Sequence, residues 1–167
     1  MADLEAELVV QIPDSIKRVG VFVNESIERV EETVTKYELD YVQLHGDEDL
    51  DFANELRKRG IRIIKVFSIS NELPAEVAEY EGVADFLLFD TATPDYGGSG
   101  KQFDWSILND QKLSVPFLLS GGISEEDVEK IKDLDIPMLA GIDVNSKFEF
   151  QPGLKDLERI EKLKMSI

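Results

Sequence analysis

Gly121-Gly-Ile-Ser124 and, a little further on, Met138-Leu-Ala-Gly-Ile-Asp-Val-Asn-Ser146 decide how this chain reads. Each stretch is a short apolar run that ends in Gly, Ser or Asp and then opens a helix. Two such units in succession bring a cluster of backbone N–H groups and two positive helix ends to one place. Unpaired N–H donors and the helix macrodipole both favour an anion there, and a phosphate suits the site. Taken singly, either stretch is an ordinary strand-to-helix turn. The pair, closing a chain of alternating elements, favours the phosphate.

Working outward from that pair, the same alternation fills the chain. Strand-like apolar runs are Lys17–Val23, Tyr41–Leu44, Arg62–Ser68, Asp85–Asp90, Pro116–Ser120 and Met138–Asp143. Helix patterns lie between and after them, at Ser26–Tyr37, Asp49–Arg59, Pro74–Tyr80, Ser124–Leu134 and Leu154–Lys164. Ser26 and Ser124 stand at N-cap positions, and Gly60 stands where a helix should end. Asp104-Trp-Ser106 opens a shorter helical turn. Strict alternation predicts a parallel sheet covered by helices, an α/β fold. The six strands fit either an open doubly wound sheet or part of a (β/α)-barrel, which closes with eight. The stretch before Lys17 is short, and Ala2–Val10 read as a helix, so in the barrel reading two strands are missing at the front. No linker or low-complexity tract divides the chain, and residues 1–167 are expected to form a single domain, incomplete at the N-terminus.

Composition narrows the function. Thirty-five acidic against 18 basic residues give a formal net charge of −17. Such a surface repels polyanions, which argues against nucleic acid and anionic membranes as partners. An anionic small molecule must then be captured by local donors. The chain has no cysteine and one histidine, which excludes disulfides, thiolate chemistry and a histidine-based zinc site. There is no apolar run of membrane-spanning length and no basic leader, and a cytoplasmic location is expected.

Within the strands, alternate residues share a face. Val42 and Leu44 form the helix-facing set of Tyr41–His45, and Gln43 and His45 point the other way. His45 then lies at the C-terminal strand end, the catalytic side in barrels of this kind. It reads either as a hydrogen-bonded structural group or as part of a site, with Gln43 beneath it favouring the site. Asp90 ends its strand above Leu88 and Phe86. Apolar neighbours disfavour the charged carboxylate, which suits a general acid. The alternative is that Asp90 caps the following loop, Thr91–Gly100, whose three glycines permit close approach to a ligand. Lys65, mid-strand, reads as a paired interior ion, with an amine nucleophile as the weaker reading. Glu31, Glu32, Glu48, Asp49, Glu125, Glu126 and Asp127 read as a solvated face.

Together these segments resemble the phosphoribosylanthranilate isomerase family of tryptophan biosynthesis, a (β/α)8-barrel. The resemblance is carried by Arg18–Asn24, Val42-Gln-Leu-His-Gly46, Leu88-Phe-Asp90, Gly97–Gly100 with Phe103-Asp-Trp105, Leu119-Ser-Gly-Gly-Ile123 and Gly141-Ile-Asp-Val-Asn-Ser146 through Asp156. It implies an Amadori rearrangement of N-(5-phosphoribosyl)anthranilate to its 1-deoxyribulose isomer, with no metal or organic cofactor. The family's general acid falls on Asp90, and its phosphate cradle falls on Gly121, Gly122, Asn145 and Ser146. Gln43, His45 and Asp143 match positions at the substrate mouth. The family's first strand carries a Lys-Ile-Cys-Gly motif whose cysteine is the general base, and a second unit brings an arginine. Neither unit is found in this chain, which reads as a truncated copy with impaired catalysis. Asn145 and Lys147 stand where the family more often has small residues. Two other readings are a non-catalytic phosphate-ligand binder, or part of a split barrel, and a different phosphate-binding barrel such as an indoleglycerol-phosphate synthase. Lys17–Val23 would be an exposed sheet edge, able to self-associate, with the Ala2–Val10 helix folding partly over the gap.

Overall fold

The computed structural model describes residues 9, 11–92, 102–109, 111–134 and 136–166. The Ala2–Val10 helix, save Val9, and the Gly97–Gly100 segment lie outside the described residues. The strands of the main sheet follow chain order, as the alternation predicts: β1 (Val19–Phe22), β2 (Tyr41–Leu44), β3 (Ile63–Ile69), β4 (Phe86–Thr91), β5 (Phe117–Leu119) and β6 (Leu139–Ile142). Two compact units share them, Met1–Val66 with Glu79–Phe86, and Phe67–Ala78 with Leu87–Ile167.

In the first unit β1 pairs parallel with β2, Val19 opposite Tyr41 and Phe22 opposite Leu44, and β2 pairs parallel with the start of β3. The connecting helices are α1 (Ile27–Tyr37) and α2 (Leu50–Lys58). Ser26 caps α1 by accepting the Arg29 N–H, and Asp49 caps α2 by accepting that of Phe52 at 2.8 Å. Both helices bury one stripe, Val30 and Thr33 in α1, Ala53 and Leu56 in α2. Val42 and Leu44 are fully buried while Gln43 and His45 are half-buried, the alternation expected of β2. On β1 the same face is buried, Phe22 lying opposite Leu44, but the other face is apolar. Phe22 is buried, but Val19, Val21 and Val23 are 41%, 53% and 50% exposed, and β1 ends the sheet order. An apolar stripe on a terminal strand is the exposed edge anticipated from the sequence.

In the second unit β4 pairs with β5 and β5 with β6, all parallel. Leu87, Leu88, Phe89, Phe117 and Leu119 are buried, and the Phe89 ring packs 5.1 Å from that of Phe117. A 3-10 turn at Trp105–Leu108, capped by Asp104, lays Trp105 into the core beneath the Lys130 ammonium.

Three helix expectations need correction. Pro74–Tyr80 shortens to one turn, α3 (Val77–Tyr80). Ser124–Leu134 divides into a 3-10 turn, Glu125–Asp127, and α4 (Val128–Lys132). Leu154 does not begin a helix. A 3-10 turn at Ser146–Phe148 leads into an antiparallel hairpin, β7 (Glu149–Gln151) with β8 (Leu154–Lys155), before α5 (Leu157–Ser166). Pro152-Gly153 makes that reversal, with Gly153 at φ +84, and the Lys155 ammonium bonds Glu149 across it at 2.8 Å. Asp156 then accepts the Arg159 N–H and starts α5.

Candidate active site

In the first unit the strand ends are tied together by a residue that sequence reasoning placed on the surface. Glu48 is buried. Its Oε1 accepts the Asn24 N–H at 2.7 Å and its Oε2 that of Gly46 at 2.9 Å, linking the loops after β1 and β2. Lys65 lies 3.3 Å from Oε2 and donates to the Gly46 carbonyl at 2.9 Å. The side chains of Lys65 and Glu48 are only 6% and 2% exposed. Burial holds the Lys65 ammonium below the usual lysine value, and the Glu48 charge opposes that fall. The solvated-face reading of Glu48 is thus overturned, for a physical reason the sequence already held. A lysine in the middle of a buried strand requires an acid, and Glu48 supplies it. The paired-ion reading of Lys65 stands. Above this network the His45 N–H bonds the Phe22 carbonyl, and His45 Nδ1 lies 3.5 Å from Gln43 Nε2.

The second unit carries the remaining expected site residues on three consecutive strand ends. Asp90, the penultimate residue of β4, accepts the Thr91 N–H at 2.8 Å, so the loop-capping contact weighed from the sequence does form. Leu88, two residues below, is buried. Thr91 Oγ1 in turn accepts the Phe103 N–H at 3.1 Å. Gly121, two residues beyond β5, lies directly against Thr91. A Cβ at Gly121 would collide with Thr91 Oγ1 and sit 2.8 Å from the Thr91 nitrogen. Gly121 and Gly122 have φ values of +97 and +65, a left-handed path that glycine adopts without strain. Among the described residues their N–H groups donate to no other residue.

The neighbouring turn is held by side chains. Ser120 Oγ donates to Asp143 Oδ2 at 3.0 Å, joining the ends of β5 and β6. Asp127 Oδ2 accepts both the N–H and the hydroxyl of Ser124 and the Gln102 amide at 2.7 Å. Its burial opposes ionisation, but these donors outweigh it and hold the carboxyl below its usual range. Asn145 and Ser146 follow β6, anchored by fully buried Phe148, and the Lys155 ammonium donates to Asn145 Oδ1. Of the two positive helix ends anticipated here, only the first leads into an α-helix, the short α4. Each βα turn opens a 3-10 turn of three residues, so the donors are local N–H groups more than a macrodipole. Asp90, Gly121, Gly122, Asp143, Asn145 and Ser146 therefore lie together in the second unit, and Gln43 and His45 in the first. Glu48, Ser120 and Lys155 were not foreseen as site supports. Only Glu48 had a legible signal, the unpaired Lys65.

A family model described as N-(5'-phosphoribosyl)anthranilate (PRA) isomerase matches residues 3–165. The chain belongs to this family. A Parabacteroides distasonis N-(5'-phosphoribosyl)anthranilate isomerase is 51% identical over 148 residues, 88% of this chain and 67% of that protein. The Thermotoga maritima enzyme of the same name is 40% identical over 154 residues, covering 91% and 73% of the two chains. The crystal structure of phosphoribosyl anthranilate isomerase from T. maritima superposes with a TM-score of 0.82 at 35% identity, over 97% of this chain and 78% of that one. A second solved isomerase, in complex with reduced 1-(o-carboxyphenylamino)-1-deoxyribulose 5-phosphate, gives 0.78 at 34% identity, over 95% and 75%. The parallel strands of each unit thus belong to the (β/α)-barrel fold of the PRA isomerases.

Proposed function

We propose that the site serves the Amadori rearrangement of N-(5-phosphoribosyl)anthranilate to 1-(2-carboxyphenylamino)-1-deoxyribulose 5-phosphate in tryptophan biosynthesis, in the cytoplasm. The observation that carries the reading is the second unit's row of strand ends. Asp90 stands on β4, Gly121 and Gly122 follow β5 with N–H groups that donate to no other described residue, and Asp143, Asn145 and Ser146 follow β6. In this reading the glycine N–H groups and the Asn145–Ser146 turn hold the phosphate. Asp90 protonates the ribose ring oxygen as its bond to C1 breaks, leaving an iminium at C1. Loss of the C2 proton then gives an enolamine, and tautomerisation gives the ketone. By the family resemblance, Gln43, His45 and Asp143 take substrate-binding roles.

The proton on C2 needs a base, and the family resemblance places that role on a cysteine. These residues contain none, so in this reading the isolated chain binds the phosphorylated product but converts the substrate poorly. Losing a general base typically costs about 10²–10⁴-fold. The test titrates the purified chain with reduced 1-(o-carboxyphenylamino)-1-deoxyribulose 5-phosphate and with its dephosphorylated form. Preference for the phosphate ester supports the reading, and equal or absent binding of both refutes it. The same absence of cysteine favours a second reading, a non-catalytic binder of phosphorylated ligands. Fusion behind the first two βα units of a family member separates the two, since only a preserved site gains turnover that Asp90→Asn then removes.

A further inference from the structure

Asn145, which the family resemblance puts at a position where small residues are commoner, has its side chain held in one particular way. The Lys155 ammonium donates to Asn145 Oδ1 and to Glu149 Oε1, and Glu149 Oε1 also accepts the Gly153 N–H at 3.2 Å. An ammonium has three donors and no acceptor. It can engage only the oxygen end of the Asn145 amide, which fixes the amide's orientation and leaves Nδ2 with both its protons on the other side. Among the described residues the bond from Lys155 is the only side-chain bond Asn145 makes. Glu149 completes the arrangement. Its side chain is 12% exposed, the Lys155 charge holds its carboxyl below the usual range, and the two charges cancel beside the turn. Both partners ride on the β7–β8 hairpin, whose register places Glu149 opposite Lys155.

We infer that Lys155 is a positioning residue for the phosphate site, orienting Asn145 so that its Nδ2–H₂ group donates to the phosphate beside the backbone of Gly121 and Gly122. This rests on the phosphate reading given above. A side-chain donor replaces what a small residue would leave to water, and it does so in a chain whose overall charge repels anions.

The experiment measures binding of reduced 1-(o-carboxyphenylamino)-1-deoxyribulose 5-phosphate, and of its dephosphorylated form, to wild type, Lys155→Met, Lys155→Arg, Asn145→Ser and the Lys155→Met/Asn145→Ser double variant. Lys155→Met should weaken binding of the phosphate ester by about tenfold, the scale of one hydrogen bond to a charged group. It should leave binding of the dephosphorylated ligand unchanged, and Lys155→Arg should restore most of the loss. In the Asn145→Ser background Lys155→Met should change phosphate-ester binding less than twofold, because the group it positions is gone. An equal loss in both backgrounds would assign Lys155 a direct charge effect and overturn the positioning role. An equal weakening of the dephosphorylated ligand would overturn it too, as would wild-type binding by Lys155→Met. Wild-type protein that does not favour the phosphate ester would instead overturn the phosphate reading itself, and this inference with it.

Discussion

Replacing Gly121 by alanine tests the tightest contact in the candidate site, and the structure supplies its own control. Two costs are expected. The first is conformational: φ is +97 at Gly121, and holding a residue other than glycine there costs about 1–3 kcal/mol. The second is steric: the new Cβ would strike Thr91 Oγ1 and lie 2.8 Å from the Thr91 nitrogen. The nitrogen belongs to the backbone of β4 and the hydroxyl oxygen is occupied by the Phe103 N–H, so neither can swing aside. Overpacking of this kind costs about 1–3 kcal/mol. Gly153→Ala isolates the first cost, because Gly153 has a similar φ of +84 and nothing within 4 Å of an added Cβ. Urea denaturation of the two variants should therefore differ by the steric contribution alone. With a slope of about 2 kcal/mol per molar, the Gly121→Ala midpoint should fall about 0.5–1.5 M below that of Gly153→Ala. Adding Thr91→Ala to Gly121→Ala should recover only part of the difference, since the backbone nitrogen remains. Equal midpoints for Gly121→Ala and Gly153→Ala would refute the claim that Gly121 is needed for close approach to β4.

The buried pair gives an asymmetric result. Glu48→Gln strands the Lys65 ammonium and should cost about 3–5 kcal/mol, whereas Lys65→Met leaves Glu48 its two backbone donors and should cost less; equal losses in urea denaturation would contradict the network described. Acid titration has a definite sign. Asp127, Glu125 and Glu149 have carboxyls held below their usual range, Asp127 by Ser124 and Gln102 against its burial, Glu125 by Lys162 and Arg159, and Glu149 by Lys155. The folded chain then binds fewer protons than the unfolded one, so their contribution is complete above the ordinary carboxylate range, about pH 4, and is lost as pH falls through the lowered values. Asp127→Asn should show a shallower loss of stability below about pH 4 than wild type, and an unchanged slope would count against the role given to Asp127. Self-association through β1 should appear in light scattering as a mass that rises with concentration and falls back in Val21→Lys. A strictly monomeric wild type would remove the edge from that role.

Elements whose cause is local were legible in the sequence, and those whose cause lies across the fold were not. The strand at Tyr41–Leu44 and the N-cap Ser26 follow from period and from a donor a few residues away, and they form where their residues place them, whereas Asp49, read as a surface acid, caps α2. Asp90 and Asp143 were locatable as strand ends for the same reason, although the bond from Ser120 that holds Asp143 joins residues 23 positions apart. The hairpin after β6 was misread because Leu154–Lys164 has a helix-like period, while the contacts that reserve its first two residues for a strand come from Glu149 and Asn145. Glu48 was misread for a similar reason. Beside Asp47 and Asp49 it looks like one more surface acid, and only its bonds to Asn24, Gly46 and Lys65 take it inside. The lesson for this site is chemical. Glu48, which sequence alone left on the surface, is drawn in by Lys65, and the Asn145 amide is oriented by Lys155. In so acidic a chain the scarce cations are therefore the better guide to where polar side chains are fixed.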